Sequence, residues 1–439
     1  MITRFKHITG ACKKFDNKQR PQKPNIGWHL LTGLVAPFLY VPVGGKIKKI
    51  DCEGLKPPYL VLSNHGSLVD FAMAVKAQFP RRQNYVSAID EFVARELMFR
   101  ELGMIYKRKF TNDITVVRHI AHVLMKNKNI LTLYPEARFS LIGVNERIDN
   151  ALGKLVKMAK CPVVVFIMHG NFLRSPQWNK HPYRKVRVEA EHRQIVTREE
   201  ALTLSAEEIQ ARIEKFFVYN DYEWQYENKI EIKSKARAHN LHKVLYQCPH
   251  CKKEFSTYSR NTKIWCEECG KVWEMDTYGR LHCENGEDIF TSPVDWYNWE
   301  RENVRKEVRS GNYHFEDEVR VDHLVCSRQG YVPAGTAKLT HGYDGFTLEG
   351  TVYDKPFHLN RPCETMISCH IEYGYKHRGS NRLFGKTGWD PKERRDTIDL
   401  CTLDESYFVS PMNAKNVITK IHLATEELHD YMIKQKNNQ

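Results

Sequence analysis

Residues 59–79 read YLVLSNHGSLVDFAMAVKAQF, an apolar run followed by a short polar loop and a helical pattern. The run YLVLS has the composition of a buried strand, and FAMAVKAQF has helical spacing. The same succession continues through residues 45–218, where apolar runs at 130–136 and 161–170 alternate with amphipathic stretches such as 113–127. Strand–helix alternation of this kind predicts an α/β domain with a mostly parallel sheet and flanking helices.

Within the polar loop, His65 is followed five positions later by Asp70. Side chains five apart on one helix point about 140° apart, so the two meet only if His65 lies in the loop before the helix. The strand–loop–helix pattern predicts that placement. A neutral imidazole takes up a proton near pH 7, and a carboxylate on its other nitrogen fixes the tautomer. The alternative is a surface histidine and a helix-capping aspartate that never touch.

Three further blocks follow in the same chain order: GMIYKR at 103–108, YPEARFS at 134–140 and CPVVV at 161–165. With the His-x4-Asp spacing, they make residues 30–220 resemble the glycerolipid (lysophosphatidate-type, 1-acylglycerol-3-phosphate) acyltransferases. The resemblance implies transfer of a fatty acyl group from acyl-CoA or acyl carrier protein to the hydroxyl of a lysophospholipid such as lysophosphatidate. It implies that His65 is the general base and that Asp70 orients it. The acceptor-binding residues that it implies are Asn64, Gly103, Arg108, Pro135, Glu136 and Arg138.

The third block departs from the family pattern. Ala137 stands where the family has glycine, and Arg138 comes one position early, with Phe139 in the usual place of the arginine. In an extended segment, a shift of one residue turns a side chain to the other face. Either the loop bulges to compensate or the acceptor is held differently, so another lipid or polar acceptor remains open.

Two Cys-x2-Cys pairs are separated by 14 residues. They consist of Cys248, Cys251, Cys266 and Cys269. The spacing predicts a structural Zn²⁺ bound by four thiolates in a zinc ribbon. The first apolar run begins only at Ile26, so no secretory signal is expected, and metal binding is favoured over disulfides. A zinc-ribbon binding protein with an inactive acyltransferase-like domain is the alternative function, although balanced charges in residues 246–283 make nucleic acid an unlikely partner.

The formal net charge is +14, and residues 1–50 hold ten Lys or Arg but only one acid, Asp16. This excess predicts an acidic partner, and an anionic membrane surface is the candidate that suits the adjoining apolar residues 26–43. That segment is shorter than the ~20 residues of a spanning helix. We interpret it as lying in one leaflet or covering an apolar groove, with the protein peripheral or monotopic on the cytoplasmic face of a membrane. A buried core helix is the alternative.

The predicted organisation has five parts. They are a basic arm with the membrane-associating segment at 1–44, an acyltransferase domain at 45–218, a linker helix or covering arm at 219–246, the zinc ribbon at 247–283, and a β-rich domain at 284–439. The pattern AKLTHGYDGFTLEGTVYDKPFHL at 337–359 predicts three strands joined by turns. Ser410 and Pro411 predict the start of a C-terminal amphipathic helix. An antiparallel sheet closed by one helix is typical of the pleckstrin-homology-like fold.

Overall fold

The computed structural model describes residues 15–67, 69–179, 184–376 and 393–437, the last residue by its backbone alone. The first part of the predicted basic arm, with Arg4, Lys6, Lys13 and Lys14, lies outside the described residues. So does Leu68 in the loop between His65 and Asp70.

The apolar N-terminal segment is helical and lies on the surface. Its parts are α1 (Ile26–Val35), α2 (Pro37–Tyr40) and a 3-10 turn (Val41–Val43). By length and composition Ile26–Val43 is apolar enough to cross a membrane, and only 11% of it is buried. The alternative of a buried core helix is therefore wrong. Large apolar side chains that point outward include Leu30, Leu34, Phe38 and Val41.

The predicted acyltransferase domain at 45–218, called the catalytic domain below, has a sheet of seven strands in the order β1-β7-β6-β2-β5-β3-β4. The strands are β1 (Lys46–Ile50), β2 (Leu60–Ser63), β3 (Gln83–Ala88), β4 (Met104–Lys107), β5 (Ile130–Leu133), β6 (Val163–His169) and β7 (Glu189–Val196). Every pairing is parallel except that of β6 with β7. The predicted α/β domain with a mostly parallel sheet is confirmed.

Helices cover both faces of this sheet. They are α3 (Val69–Gln78), α4 (Glu96–Glu101), α5 (Ile114–Ala121, extended by a π-helical turn at His122–Lys126), α6 (Leu152–Ala159), α7 (Asn171–Arg174), α8 (Arg198–Thr203) and α9 (Ala206–Phe216). Because side chains alternate along a strand, Val61, Val164 and Phe166 pack towards α3 on one face. Leu62 and Val165 pack towards α5 and α6 on the other face.

Residues after α9 form a covering arm rather than one linker helix. Only α10 (Asp221–Glu227) and a 3-10 turn (Leu241–Lys243) are regular. The arm buries Tyr222, Ile232 and Tyr246 in the largest apolar core of the described residues. That core also contains Ile142 and Phe172 of the catalytic domain, Trp273 of the ribbon and Leu428 near the C-terminus. The same apolar core thus extends through every predicted part after the N-terminal segment.

The ribbon is a four-stranded antiparallel meander in the order β11-β10-β9-β8. Its strands are β8 (Thr257–Arg260), β9 (Lys263–Cys266), β10 (Val272–Met275) and β11 (Leu281–Cys283). Trp273 packs edge-on against Trp296 of the following helix, with ring centroids 5.0 Å apart. The ribbon is thereby joined to the C-terminal domain through apolar contact.

The C-terminal domain opens with α11 (Pro293–Arg309), which the sequence analysis did not predict. Its seven-stranded antiparallel sheet has the order β15-β14-β13-β12-β18-β17-β16. The strands are β12 (Phe315–Cys326), β13 (Gly330–Gly342), β14 (Gly345–Val352), β15 (Lys355–Arg361), β16 (His370–Tyr375), β17 (Arg395–Cys401) and β18 (Ser406–Pro411). The three predicted strands within 337–359 correspond to the end of β13, to β14 and to the start of β15. The final helix, α12 (Ile418–Asn437), begins later than predicted, because Ser410 and Pro411 still belong to β18.

Candidate functional site

The predicted histidine–aspartate pair is formed at the carboxyl end of β2. His65 lies in the loop after the strand, and Asp70 lies in the first turn of α3. His65 Nδ1 is 2.7 Å from Asp70 Oδ2. Asp70 is fully buried, whereas 24% of the His65 side chain is exposed. The pair therefore has a sheltered carboxylate and an imidazole that solvent can reach.

Asp70 is held by several donors besides His65. Its Oδ2 accepts hydrogen bonds from the backbone N–H groups of Gly66 and Ser67 at 2.7 and 3.0 Å. Its Oδ1 accepts one from Asn171 Nδ2 at 2.5 Å. Hydrogen bonds of this kind fix the orientation of the carboxylate. Asp70 is thus arranged to orient one nitrogen of His65.

The His65 ring is stacked on two aromatic side chains. Its centroid lies 4.2 Å from that of Tyr134 and 4.0 Å from that of Phe139. Two rings cannot share one face of an imidazole at such distances, so the imidazole lies between them. With Nδ1 engaged by Asp70, the exposed part of the ring is the edge that carries Nε2. This edge is where a substrate hydroxyl can meet the base.

The loop that carries His65 is tied to the neighbouring strand. Asn64 Nδ2 donates to the carbonyl of Met168, and Asn64 Oδ1 accepts from the Met168 N–H, both at 2.8 Å. A Cβ on Gly66 would lie 2.7 Å from the backbone nitrogen of Phe172, so only glycine fits there. Asn64, predicted to bind the acceptor, therefore uses its amide to clamp β2 to β6.

Gly103 and Arg108, also predicted to bind the acceptor, lie around the edge strand β4, and two strands separate β4 from the central strand β2. Gly103 has a φ of +70°, which forms the turn before the strand. Arg108 Nη1 donates to the carbonyl of Leu403, in the turn between β17 and β18. Among the described residues, no contact joins Gly103 or Arg108 to His65 or Asp70.

The third block forms a tight turn. The Ala137 N–H donates to the Tyr134 carbonyl at 3.0 Å. Ala137 has a φ of +56°, a left-handed conformation that glycine adopts freely and alanine does not. The turn places Pro135 at its second position. The loop therefore keeps a glycine-type bend although the sequence has alanine.

Glu136 and Arg138, which were predicted to bind the acceptor, both point into the protein in this structure. Glu136 is buried and accepts hydrogen bonds from the Glu146 N–H at 2.7 Å and the Tyr219 hydroxyl at 2.9 Å. Burial raises the pKa of Glu136 to about 8. Arg138 is 3% exposed, and its guanidinium bonds to Glu146 and to Glu426 of α12. In this conformation, neither group is free for a substrate.

A second histidine–aspartate pair lies beside the first and was missed by the sequence analysis. His169 ends β6, and its Nδ1 is 3.3 Å from Asp221 Oδ1 in α10. The Gly170 N–H donates to Asp221 Oδ2 at 3.2 Å. The His169 ring stacks on Trp224 with centroids 5.5 Å apart. His169 and Asp221 are 52 positions apart, so no local spacing could have revealed the pair.

The four predicted metal-ligand cysteines are brought together. Their Sγ atoms all lie within 4.8 Å of one another. The Cys248–Cys269 and Cys251–Cys266 Sγ atoms are each 3.7 Å apart. A tetrahedral Zn²⁺ with Zn–S bonds of about 2.3 Å needs sulfur–sulfur distances of about 3.8 Å. The donor set and its spacing are compatible with such an ion.

Two cavities in the described part of the chain lie away from His65. One, of about 260 Å³, is lined by Asp16, Arg100, Tyr106 and His119 where the N-terminal arm crosses the domain. The other, of about 360 Å³, lies between the catalytic domain and α12. The chemistry of His65 and Asp70, rather than cavity size, therefore identifies the candidate site.

Residues 44–169 match the family model described as Acyltransferase. No curated protein sequence matches the chain. Among solved structures, the chain is similar to the 1-acyl-sn-glycerophosphate (LPA) acyltransferase PlsC from Thermotoga maritima, with 14% identity, 43% of this chain and 76% of that chain covered, and a TM-score of 0.35. The family match includes both His65 and Asp70.

Proposed function

We propose that this chain, whose residues 44–169 form an acyltransferase domain, transfers a fatty acyl group from acyl-CoA or acyl carrier protein to the hydroxyl of a lysophospholipid. The chain is an acyltransferase; its donor, its acceptor and the roles of its residues are our proposal. The observation that carries the proposal is the 2.7 Å contact between His65 Nδ1 and buried Asp70, with the Nε2 edge left open.

In the proposed reaction, the acceptor hydroxyl donates its proton to His65 Nε2 while its oxygen attacks the thioester carbonyl. Asp70 stabilises the imidazolium that forms. The tetrahedral intermediate collapses, the carbon–sulfur bond breaks, and the imidazolium returns the proton to the leaving thiolate. The ester and the free thiol are the two products. No serine or cysteine nucleophile is needed, because the acceptor attacks directly.

The experiment that tests this proposal is product analysis by lipid mass spectrometry. Purified protein is given an acyl-CoA or an acylated carrier protein, with a panel of lysophospholipids and single-chain alcohols. We expect a diacyl product and one free thiol per ester formed. Absence of any acylated product with wild-type protein, or an equal yield with His65→Ala, would refute the assignment of His65 as base.

We extend the proposal to the membrane as the place of action, with the protein peripheral or monotopic on the cytoplasmic face. It is supported by the outward apolar side chains of α1 and α2 and by exposed Lys46, Lys48 and Lys49 next to them. An apolar anchor plus a basic patch is the usual two-signal arrangement for binding anionic lipid. Flotation with anionic vesicles and with neutral vesicles tests it. Equal recovery with both vesicle types would show that the basic residues do not contribute to membrane binding. Salt-dependent binding of DNA, without binding of vesicles, would favour the nucleic-acid alternative.

We also propose a structural Zn²⁺ held by Cys248, Cys251, Cys266 and Cys269. When bound, the ion supplies four cross-links within the ribbon and no chemistry to the reaction. Elemental analysis should give one zinc per chain in the wild type and much less in Cys266→Ser. Cys161→Ser, which changes a buried cysteine of the catalytic domain, is the matched control and should keep the metal. Equal zinc content in all three proteins would contradict the site.

The C-terminal domain is proposed to have a pleckstrin-homology-like fold. The support is the strand order of the sheet. Strands β12 to β15 form one antiparallel meander, strands β16 to β18 form a second, and the two are joined by the pairing of β12 with β18. Helix α12 then packs against this sheet. The fold by itself identifies no ligand.

A further inference from the structure

Three consecutive residues of the catalytic domain have three different partners. Arg138 bonds to the C-terminal domain, Phe139 stacks on His65, and the Ser140 N–H donates to the His65 carbonyl at 2.8 Å. We propose that Arg138 is a positioning residue through which docking of α12 holds Phe139 and Ser140 against the catalytic base. The function of the β-rich domain then includes setting the geometry of His65.

The environment of Arg138 consists mainly of side chains from the C-terminal domain. Arg138 Nη1 lies 2.7 Å from Ser368 Oγ and 2.9 Å from His422 Nδ1. Arg138 Nη2 lies 2.7 Å from Glu146 Oε2 and 3.1 Å from Glu426 Oε1. Ser368 Oγ also donates to Glu426 Oε1 at 2.7 Å. Only Glu146 belongs to the catalytic domain, so the guanidinium crosses the boundary between the two parts.

A metal ion is a poor explanation for this cluster. Glu146, His422 and Glu426 have ligand atoms within 4.8 Å of one another, as a cation site would. However, Arg138 and Arg301 are both bonded to the same two glutamates. The buried guanidinium of Arg138 and the partly buried one of Arg301 already neutralise the carboxylates and would repel a further cation. The cluster is therefore an ion-pair network between domains.

Because the network is buried, it stabilises the arrangement in which α12 packs against the catalytic domain. Arg138 and Glu426 are both almost fully buried, and taking away one partner leaves the other charge uncompensated. If α12 moved away, Arg138 would have to leave its site to recover solvation. Phe139 and Ser140 follow it directly in the chain, so the stacking on His65 and the hydrogen bond to its carbonyl would be lost together.

The His65 contacts make this coupling relevant to catalysis. The stacking on Phe139 restricts rotation of the imidazole, and the Ser140 hydrogen bond fixes the backbone from which it extends. A displacement of about 1 Å in a catalytic group can cost about 10²-fold in rate. A contact that acts on His65 through Phe139 can therefore change the rate without touching substrate.

The test compares variants that loosen the Arg138 network with a control that weakens α12 docking elsewhere. Ser368→Ala and Glu426→Gln remove hydrogen bonds to Arg138. Arg305→Met is the control, because Arg305 pairs with Glu427 of the same helix at 2.8 Å and has no contact with residues 138–140. Ser368→Ala leaves every charge in place, so it serves even if Glu426→Gln does not fold.

The main readout is the rate of carbethoxylation of His65 by diethyl pyrocarbonate, followed by peptide mass spectrometry in the full-length protein. His358, whose side chain is 62% exposed on β15, is the internal reference. We expect both test variants to raise the His65 to His358 ratio about threefold or more, because the segment over His65 opens more often. Arg305→Met should lower the melting temperature without changing that ratio. An unchanged ratio in Ser368→Ala and Glu426→Gln would show that Arg138 is only structural.

The second readout is kcat, and it rests on the proposed function. Ser368→Ala and Glu426→Gln should lower kcat about tenfold with little change in KM. Phe139→Leu should do the same, and its combination with Ser368→Ala should lose no more than Phe139→Leu alone. Additive losses would overturn the route through Phe139. The labelling readout needs no substrate, so a failure of the proposed reaction and a failure of the positioning role can be told apart.

Discussion

His65 lies in the loop after β2, and His169 ends the neighbouring parallel strand β6; each directs Nδ1 at a buried aspartate. The surroundings of the two pairs differ. Asp70 accepts two backbone N–H groups and the Asn171 amide, and it lies 2.7 Å from its histidine. Asp221 accepts one backbone N–H, and its histidine lies 3.3 Å away.

The carboxyl groups and the rings of the two pairs are supported differently as well. Burial raises the pKa of Asp221, and its contacts with His169 only partly oppose this. His65 is held between two aromatic rings at 4.0 and 4.2 Å, whereas His169 stacks on Trp224 at 5.5 Å. A histidine–aspartate contact is therefore not enough to identify a base. The carboxylate must also be held by several donors, and the ring must be fixed.

The largest expected effect separates the two histidines. His65→Gln should lower kcat about 10³-fold because it removes the proton acceptor, whereas His169→Gln should change kcat by less than about threefold. Initial rates of thiol release measure both, with melting temperatures to confirm folding. Comparable losses in the two variants would break the comparison and assign both histidines to the reaction.

The next test exchanges the carboxylates. Asp70→Asn should lower kcat about 10²-fold to 10³-fold, because an amide cannot stabilise the imidazolium and favours the wrong tautomer. Asp221→Asn is the matched change and should leave kcat within about threefold. The same thiol-release assay applies. An Asp70→Asn enzyme with near wild-type kcat would mean that His65 needs no ionised partner.

Glu136 extends the comparison to a buried carboxyl group without a histidine. Its pKa in the folded protein is about 8, against a usual value of 4.5. The folded state therefore retains a proton that the unfolded chain has lost, and stability falls as the pH rises from about 5 to about 8. Glu136→Gln removes this penalty. As the pH rises from about 5 to about 8, the free energy of unfolding of Glu136→Gln should increase relative to that of the wild type by on the order of 3 kcal/mol.

Urea unfolding at pH 5, 6.5 and 8 measures the difference. Exposed Glu207→Gln is the control and should show the same pH dependence as the wild type. A constant difference between Glu136→Gln and the wild type at all three pH values would mean that Glu136 does not change its protonation state in this range.

The smallest expected effect concerns the turn before Phe139, the residue that stacks on His65. His169 stacks on Trp224 instead. Ala137→Gly relieves the left-handed conformation and should raise the free energy of unfolding by up to about 1 kcal/mol. Ala121→Gly, at the end of α5 with ordinary helical geometry, should lower it by about 0.5–1 kcal/mol. Thermal or urea unfolding compares them. A loss of stability in Ala137→Gly would show that the bend carries no strain.

Local spacing explains which parts of the site could be predicted from the sequence. His65 and Asp70 are five residues apart, and each cysteine pair spans four residues, so short-range geometry determined these predictions. Arg138 and Glu426 are 288 positions apart, and only the packing of α12 brings them together. The sequence motif therefore predicted an acceptor role for Arg138, and it could not indicate the buried partners in α12.

The same reasoning applies to the fold. Alternating apolar runs predicted the catalytic-domain sheet and the strands within 337–359, because each depends on side-chain periodicity. Helix α11 was missed although Ser292 caps it and Pro293 begins it, since its surface is mostly charged and its buried positions face three different parts of the chain. The start of α12 was misplaced because Ser410 and Pro411 end β18, an inner strand that pairs with β12 and β17, and a serine–proline pair alone does not distinguish a strand end from a helix start.

The apolar core that runs from Ile142 through Tyr246 and Trp273 to Leu428 has a consequence for how such a chain can evolve. A segment can be exchanged between proteins as an independent domain only if its own surface is polar enough to be exposed to solvent. In this chain, the ribbon, the β-rich domain and the catalytic domain all contribute side chains to one apolar core. Recombination at the boundaries visible in the sequence would expose that shared interior to water and destabilise each part.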